Sequence, residues 1–171
     1  MADPAPPSGH VRQINRKPER PAERGLPKEP VAEARLTERG VEGDFNRYRH
    51  EERRDDPGMA LLIVPIETIR SFQHDGWPVR PGDLGENITS EGIPYDAFVP
   101  GRRFRLGGAR IEISKACTPC DVLYSLPYVG RERGPEFVRT ATGRRGWYAR
   151  VLTPGPVRPG DAIEAEPSDA R

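Results

Sequence analysis

Proline and glycine interrupt this chain so often that few folds remain open to it. Twenty prolines and eighteen glycines fall among its 171 residues, several as pairs at Pro81-Gly82, Pro100-Gly101, Gly107-Gly108, Pro154-Gly155 and Pro159-Gly160. Proline presets φ and removes a backbone donor, whereas glycine admits positive φ, so each pair marks a turn. A chain with that many turns suits a β-rich domain better than a helical bundle. The pairs recur without a constant period, which excludes a solenoid. The expected class is therefore α+β, β-rich, with a few short helices.

Length favours one domain around a single core. Only 35% of residues are hydrophobic and 31% are charged, partly because the chain begins with a polar stretch. The expected organisation is a disordered tail over 1–9, a folded domain over 10–165 and a short C-terminal tail over 166–171. A formal net charge of +1 gives no argument for nucleic acid or membrane as partner. With no run of eighteen apolar residues and no signal-peptide core, the expectation is a soluble, cytoplasmic protein. In that compartment two cysteines stay reduced, so a catalytic or redox role outranks a disulfide.

Apolar patterning places the main elements. His10 to Asn15 and Pro30 to Leu36 read as strands, and the continuous run Met59 to Val64 as a strand buried on both faces. Pro65 opens a helix reaching about Asp75, with Ile66, Ile69 and Phe72 on one face. Arg102 to Leu106 and Ala109 to Ser114 form a hairpin around Gly107-Gly108. A short helix over Pro135 to Thr140 and strands over Trp147 to Leu152 and Ala162 to Glu164 complete the set. The block Phe45 to Gly58 reads as a solvated charged loop, or as an anion-binding loop in which Arg47, Arg49, Arg53 and Arg54 surround His50.

The second strand of that hairpin runs straight into Cys117-Thr118-Pro119-Cys120, with Lys115 just before. Structural zinc needs four ligands, and no second CxxC or paired histidines complete a site. A thioredoxin-like pair would open a long helix after a βαβ unit, against the turn-rich setting and Pro127. A lone nucleophilic or sulfur-carrying Cys120, with Cys117 auxiliary, is the sharper alternative. Two buried cysteines in a non-catalytic binding module, and a dithiol oxidoreductase using Cys117 and Cys120, stay open. Arg144 and Arg145, set between glycines, have forks suited to phosphate or carboxylate. Glu86 and Asn87 supply an acid and an amide able to orient a ligand or move a proton.

Six segments in order resemble the MOSC domain, found at the C-terminus of molybdenum cofactor sulfurases and as small stand-alone proteins. They are Gly25 to Lys28, Gly40 to Asp44, Pro81 to Asn87, Thr118 to Cys120, Gly143 to Tyr148 and Arg158 to Asp161. The resemblance implies a barrel-like fold and a sulfur-carrying or molybdenum-ligating cysteine at Cys120, the only metal ligand expected. Glu86 and Asn87 would assist catalysis, and Lys28, Asp44, His50, Arg144 and Arg145 would hold an anionic small molecule or the pterin of molybdenum cofactor (molybdopterin). Sulfur transfer or reduction of N-hydroxylated compounds is the implied activity, with a redox or sulfur-donor protein as partner. Pyridoxal phosphate is also associated with the family, but no lysine here sits in a recognisable motif for it.

Overall fold

The structure, a computed structural model, describes residues 5–167. Eleven strands and three α-helices follow in the order β1 Ser8–Arg16, β2 Glu29–Val31, β3 Ala34–Thr37, β4 Gly40–Val41, α1 Arg47–Glu52, β5 Leu61–Pro65, α2 Ile66–His74, β6 Ile88–Glu91, β7 Arg103–Leu106, β8 Ala109–Ala116, α3 Gly130–Ala141, β9 Trp147–Thr153, β10 Gly155–Val157 and β11 Ala162–Ala165. The main sheet runs β11-β7-β8-β9-β5-β6-β1-β2, and β11 also pairs with β1, closing a seven-stranded barrel. Strands β10, β3 and β4 form a small second sheet. Closure removes the exposed edges that an open sheet of this length would carry.

Most of the expected elements stand where the patterning puts them. The run ending at Val64 becomes β5, buried at every position, because it has a core on each side. Leu61 and Ile63 join Ile14, Ile88, Phe104 and Ile111 inside the barrel. Val64 instead packs with Ile69, Phe72, Trp77, Leu123 and Phe137 beneath the helices. The pairing of β5 with β6 is parallel and needs the α2 crossover, which lays its apolar face over the barrel wall.

Three expectations need correction. Ser8 and Gly9 are not tail: they pair with Glu164 and Ile163, so β1 starts two residues before His10. Residues 1–4 and 168–171 lie outside the described residues. At the other end, Glu166 is tied in by its N–H to Arg103 O (2.9 Å) and by an ion pair with Arg110 (2.6 Å). The block 45–58 is no plain loop, since it contains α1, capped by Asn46.

Candidate functional site

Strand β8 carries both cysteines past the end of the sheet. Ala116 pairs with Trp147, and the Cys117 N–H then donates to Gly146 O at 2.9 Å. Beyond it the chain leaves the ladder, and Cys120 opens a short 3-10 turn, Asp121–Ser125. The two thiols therefore meet opposite surroundings: Cys117 is 4% exposed and Cys120 lies in the open. Burial pushes the Cys117 thiol up, and the nearby Arg145 charge only partly opposes it. Burial, reinforced by Cys117, likewise raises the neighbouring Tyr148 hydroxyl. Of the two sulfurs, Cys120 is the one solution can reach.

Arg145 backs that sulfur from within. Only 6% exposed, it donates through Nη1 to Cys120 Sγ at 3.5 Å and to Thr118 O at 3.2 Å, and through Nη2 to Leu84 O at 3.5 Å. Its Nε, also buried, has no partner among the described residues. Burial alone would disfavour the guanidinium charge, but the adjacent Cys117, Cys120 and Tyr148 hold its pKa above the ordinary value. The turn that aims it depends on Gly146, at φ +114°, where an added Cβ would stand 2.6 Å from Ile63 O. Any larger residue there would push β9 off β5 and carry Arg145 with it.

Arg144 does not join its neighbour. Its guanidinium lies 4.2 Å over the Phe72 ring, donates to Thr140 O and Ser71 Oγ and pairs with Asp75, which fastens the turn to α2. Nor does His50 reach the thiol. It sits exposed on α1, against Asp55 (3.1 Å) and the Phe45 ring. Three of the four arginines of that block are also engaged: Arg47 with Glu51, Arg53 with the Tyr48 hydroxyl, and buried Arg49 with the carbonyls of Arg39, Asp55 and Asp56, whereas exposed Arg54 has no partner among the described residues. Lys115, next to the cysteines in sequence, projects to Asp56 (3.1 Å) instead. With Arg47, Arg49 and Arg53 committed elsewhere, the block gathers no ring of free cations around His50.

Lys28, Asp44 and Asn87 come together in a second, closed cluster. Lys28 pairs with Asp44 Oδ2, which also accepts from Asn87 Nδ2 at 2.9 Å, while Asp44 Oδ1 accepts the Lys17 N–H at 2.8 Å. Asn87 Oδ1 accepts from the Leu62 N–H, tying this cluster to β5. Asn15, which sequence reasoning did not single out, extends it by donating to Thr89 Oγ1 at 3.1 Å. Glu86 lies fully buried beside Thr89, accepting from its hydroxyl (3.0 Å) and from the Gly82 N–H (2.6 Å), with Oε2 unpartnered among the described residues. That burial pushes its carboxyl up to about 7, against the hydrogen bonds that favour its charge. Neither Glu86 nor Asn87 has a polar contact with Cys120. The loop holding both meets the thiol site through Leu84, whose carbonyl accepts from Arg145 and whose side chain shares a core cluster with Leu123 of the turn after Cys120.

Among the described residues no group of three or more His, Cys, Asp or Glu side chains is placed to hold a metal ion, and no helix is long and apolar enough to cross a membrane. Each of the chain's lysines is in an ion pair, Lys17 with Glu23, Lys28 with Asp44 and surface Lys115 with Asp56.

Comparison with known proteins agrees with this architecture. A MOSC domain model matches residues 50–164. Protein YiiM of Escherichia coli is 30% identical over 129 residues, 73% of this chain and 55% of that protein. YflK of Bacillus subtilis is 29% identical over 109 residues, 63% of this chain and 48% of that protein. The chain thus spans about half the length of these relatives. The crystal structure of YuaD from Bacillus subtilis superposes with a TM-score of 0.73 at 21% identity, covering 92% of this chain and 95% of that one. That of YiiM from Geobacillus stearothermophilus gives 0.70 at 25% identity, covering 94% and 76%.

Proposed function

Because the chain belongs to the MOSC domain family, we propose that it handles sulfur through Cys120, as a persulfide carrier. One observation supports the reading above others: the exposed thiol receives a hydrogen bond from a buried guanidinium. A thiolate or persulfide anion at that sulfur has its counter-charge built in. Cys120 sulfur attacks the outer sulfur of a donor persulfide. A new S–S bond forms as the donor's breaks, the donor leaves as thiolate, and nothing is oxidised overall. A nucleophilic acceptor then takes the outer sulfur and Cys120 leaves as thiolate. Cys117, buried and raised in pKa, packs rather than reacts, which disfavours a dithiol oxidoreductase.

The family's association with molybdenum cofactor sulfurases raises the question of fit. The accessible Cys120 sulfur suits a soft-metal ligand, and molybdenum held there would supply redox chemistry. The cations that the resemblance implied for the pterin suit it less, because Lys28 and Arg144 are committed to Asp44 and Asp75 and His50 lies on α1 beside Asp55.

Incubation of the reduced protein with inorganic polysulfide, read by intact and peptide mass, tests the proposal. Wild type and Cys117→Ser should each gain a sulfur atom on the Cys120 peptide, and Cys120→Ala should gain none while keeping its fold. Full loading of Cys120→Ala would overturn the assignment.

A further inference from the structure

Arg145 is engaged on the sulfur, Arg144 on Asp75, and Arg133 on Glu136 and the Trp77 ring, 3.9 Å away. Arg24 and Arg131 are exceptions. Neither has a hydrogen-bond or ion-pair partner among the described residues, and both line one cleft of about 520 Å³ with Asp121, Tyr124 and Ser125. Asp121 directly follows Cys120 and begins the turn that the cysteine opens, so the residue next to the reacting thiol in the chain forms part of the cleft wall.

The cleft wall is built with some care. Tyr124 lies against Gly134 of α3, where an added Cβ would meet the ring at 2.4 Å. Gly134-Pro135 is a poor choice for the interior of a helix, and the close seat of this ring gives a reason for the glycine. With the ring so placed, its hydroxyl also has no partner among the described residues, whereas Ser125 Oγ is spent on Val122 O at 2.7 Å. Two unspent guanidinium forks and a phenol suit an oxyanion. Charge narrows the choice: Asp121 offsets one of the two arginines, which matches a monoanion better than a phosphate dianion.

We infer that this cleft binds the carboxylate of a small sulfur donor, a carboxylate-bearing thiol persulfide, and so presents its outer sulfur to Cys120. The inference rests on Cys120 being the reacting thiol and specifies the donor class that the proposed function leaves open. The chemistry is the transfer already balanced above, and the leaving thiolate keeps its carboxylate in the cleft until release.

Iodoacetate and iodoacetamide differ in the carboxylate, so their relative rates at Cys120 read the cleft directly. The iodoacetate-to-iodoacetamide ratio should exceed that of a free thiol by about tenfold at low salt and fall as salt rises. In Arg24→Gln and Arg131→Gln it should drop toward the free-thiol value. A wild-type ratio equal to a free thiol's, or one unmoved by both substitutions, overturns the inference. A thiol that reacts with neither reagent counts instead against Cys120 as the reacting group. In that case acetate titration of Cys120→Ser, followed by NMR at the Ser125 and Arg131 amides, still decides the cleft. Shifts that vanish in the Arg24→Gln background support it. No shift, or tighter binding of inorganic phosphate than of acetate, overturns it.

Discussion

The Cys120 corner and the Lys28–Asp44 cluster are both polar and both made by loops meeting the barrel, yet they are finished differently. In the cluster, donors find acceptors: Lys28 and Asn87 converge on Asp44, Asn87 is fixed to β5, and Lys28 is only 6% exposed. At the corner, Arg145 keeps an unpartnered Nε, Cys120 is open to solution, and Arg24 and Arg131 spend no donor nearby. Buried polar groups are costly unless paired, so a closed network serves the fold, and an open one is completed by what it binds. Arg145 takes one contact from the loop over 81–87, Nη2 to Leu84 O at 3.5 Å, while its Nη1 bonds to Thr118 O and Cys120 Sγ do not involve the cluster.

That contrast breaks most visibly at Asp44. Asp44→Ala leaves the Lys28 ammonium buried without its partner and should cost about 3–5 kcal/mol in urea unfolding. The folded fraction should still label at Cys120 at the wild-type rate. A labelling rate that falls with stability would mean the two regions are not separable.

Glu86 offers the next largest effect, and one with a pH signature. Its carboxyl ionises near 4.5 ordinarily but near 7 in the fold. Below 4.5 both folded and unfolded chains hold the proton. As pH rises from 4.5 to 7 the unfolded chain releases its proton first, so stability falls by about 3 kcal/mol across that window and then levels. Glu86→Gln should flatten this dependence and be the more stable protein at pH 8. Parallel curves for the two would contradict the burial argument.

Arg145→Ala should slow polysulfide loading of Cys120 by about tenfold, roughly 1.4 kcal/mol, because the persulfide loses its counter-charge. Arg144→Ala is the small control. Its pair with Asp75 is partly exposed, so the loss should be about 1 kcal/mol, seen in thermal unfolding, with sulfur loading unchanged.

Strand pairs and turns were legible because they follow from local pattern: β5 from its apolar run, the β7–β8 hairpin from alternation around Gly107-Gly108. Helix α1 was not, because Arg47 to Glu52 has no apolar periodicity and takes its stability from the Asn46 cap and the burial of Arg49. The division of labour between Arg144 and Arg145 was invisible for a different reason. Adjacent residues entering a strand point opposite ways, and which one meets Cys120 depends on the phase set by Gly146 against Ile63. The links from Lys28 and Asn87 to Asp44 span sequence separations of 16 and 43, beyond any local signal. Glu86 resembles a surface acid in a polar loop, and only the tertiary fold buries it. Cys120 was legible as a candidate from its place after a strand, but its exposure relative to Cys117 was not.

The most direct test is a time course of iodoacetamide labelling of the native protein at neutral pH, mapped by peptide. Cys120 should label fully while Cys117 stays unmodified until the protein is unfolded. Equal protection of both sulfurs, or earlier labelling of Cys117, would contradict the account.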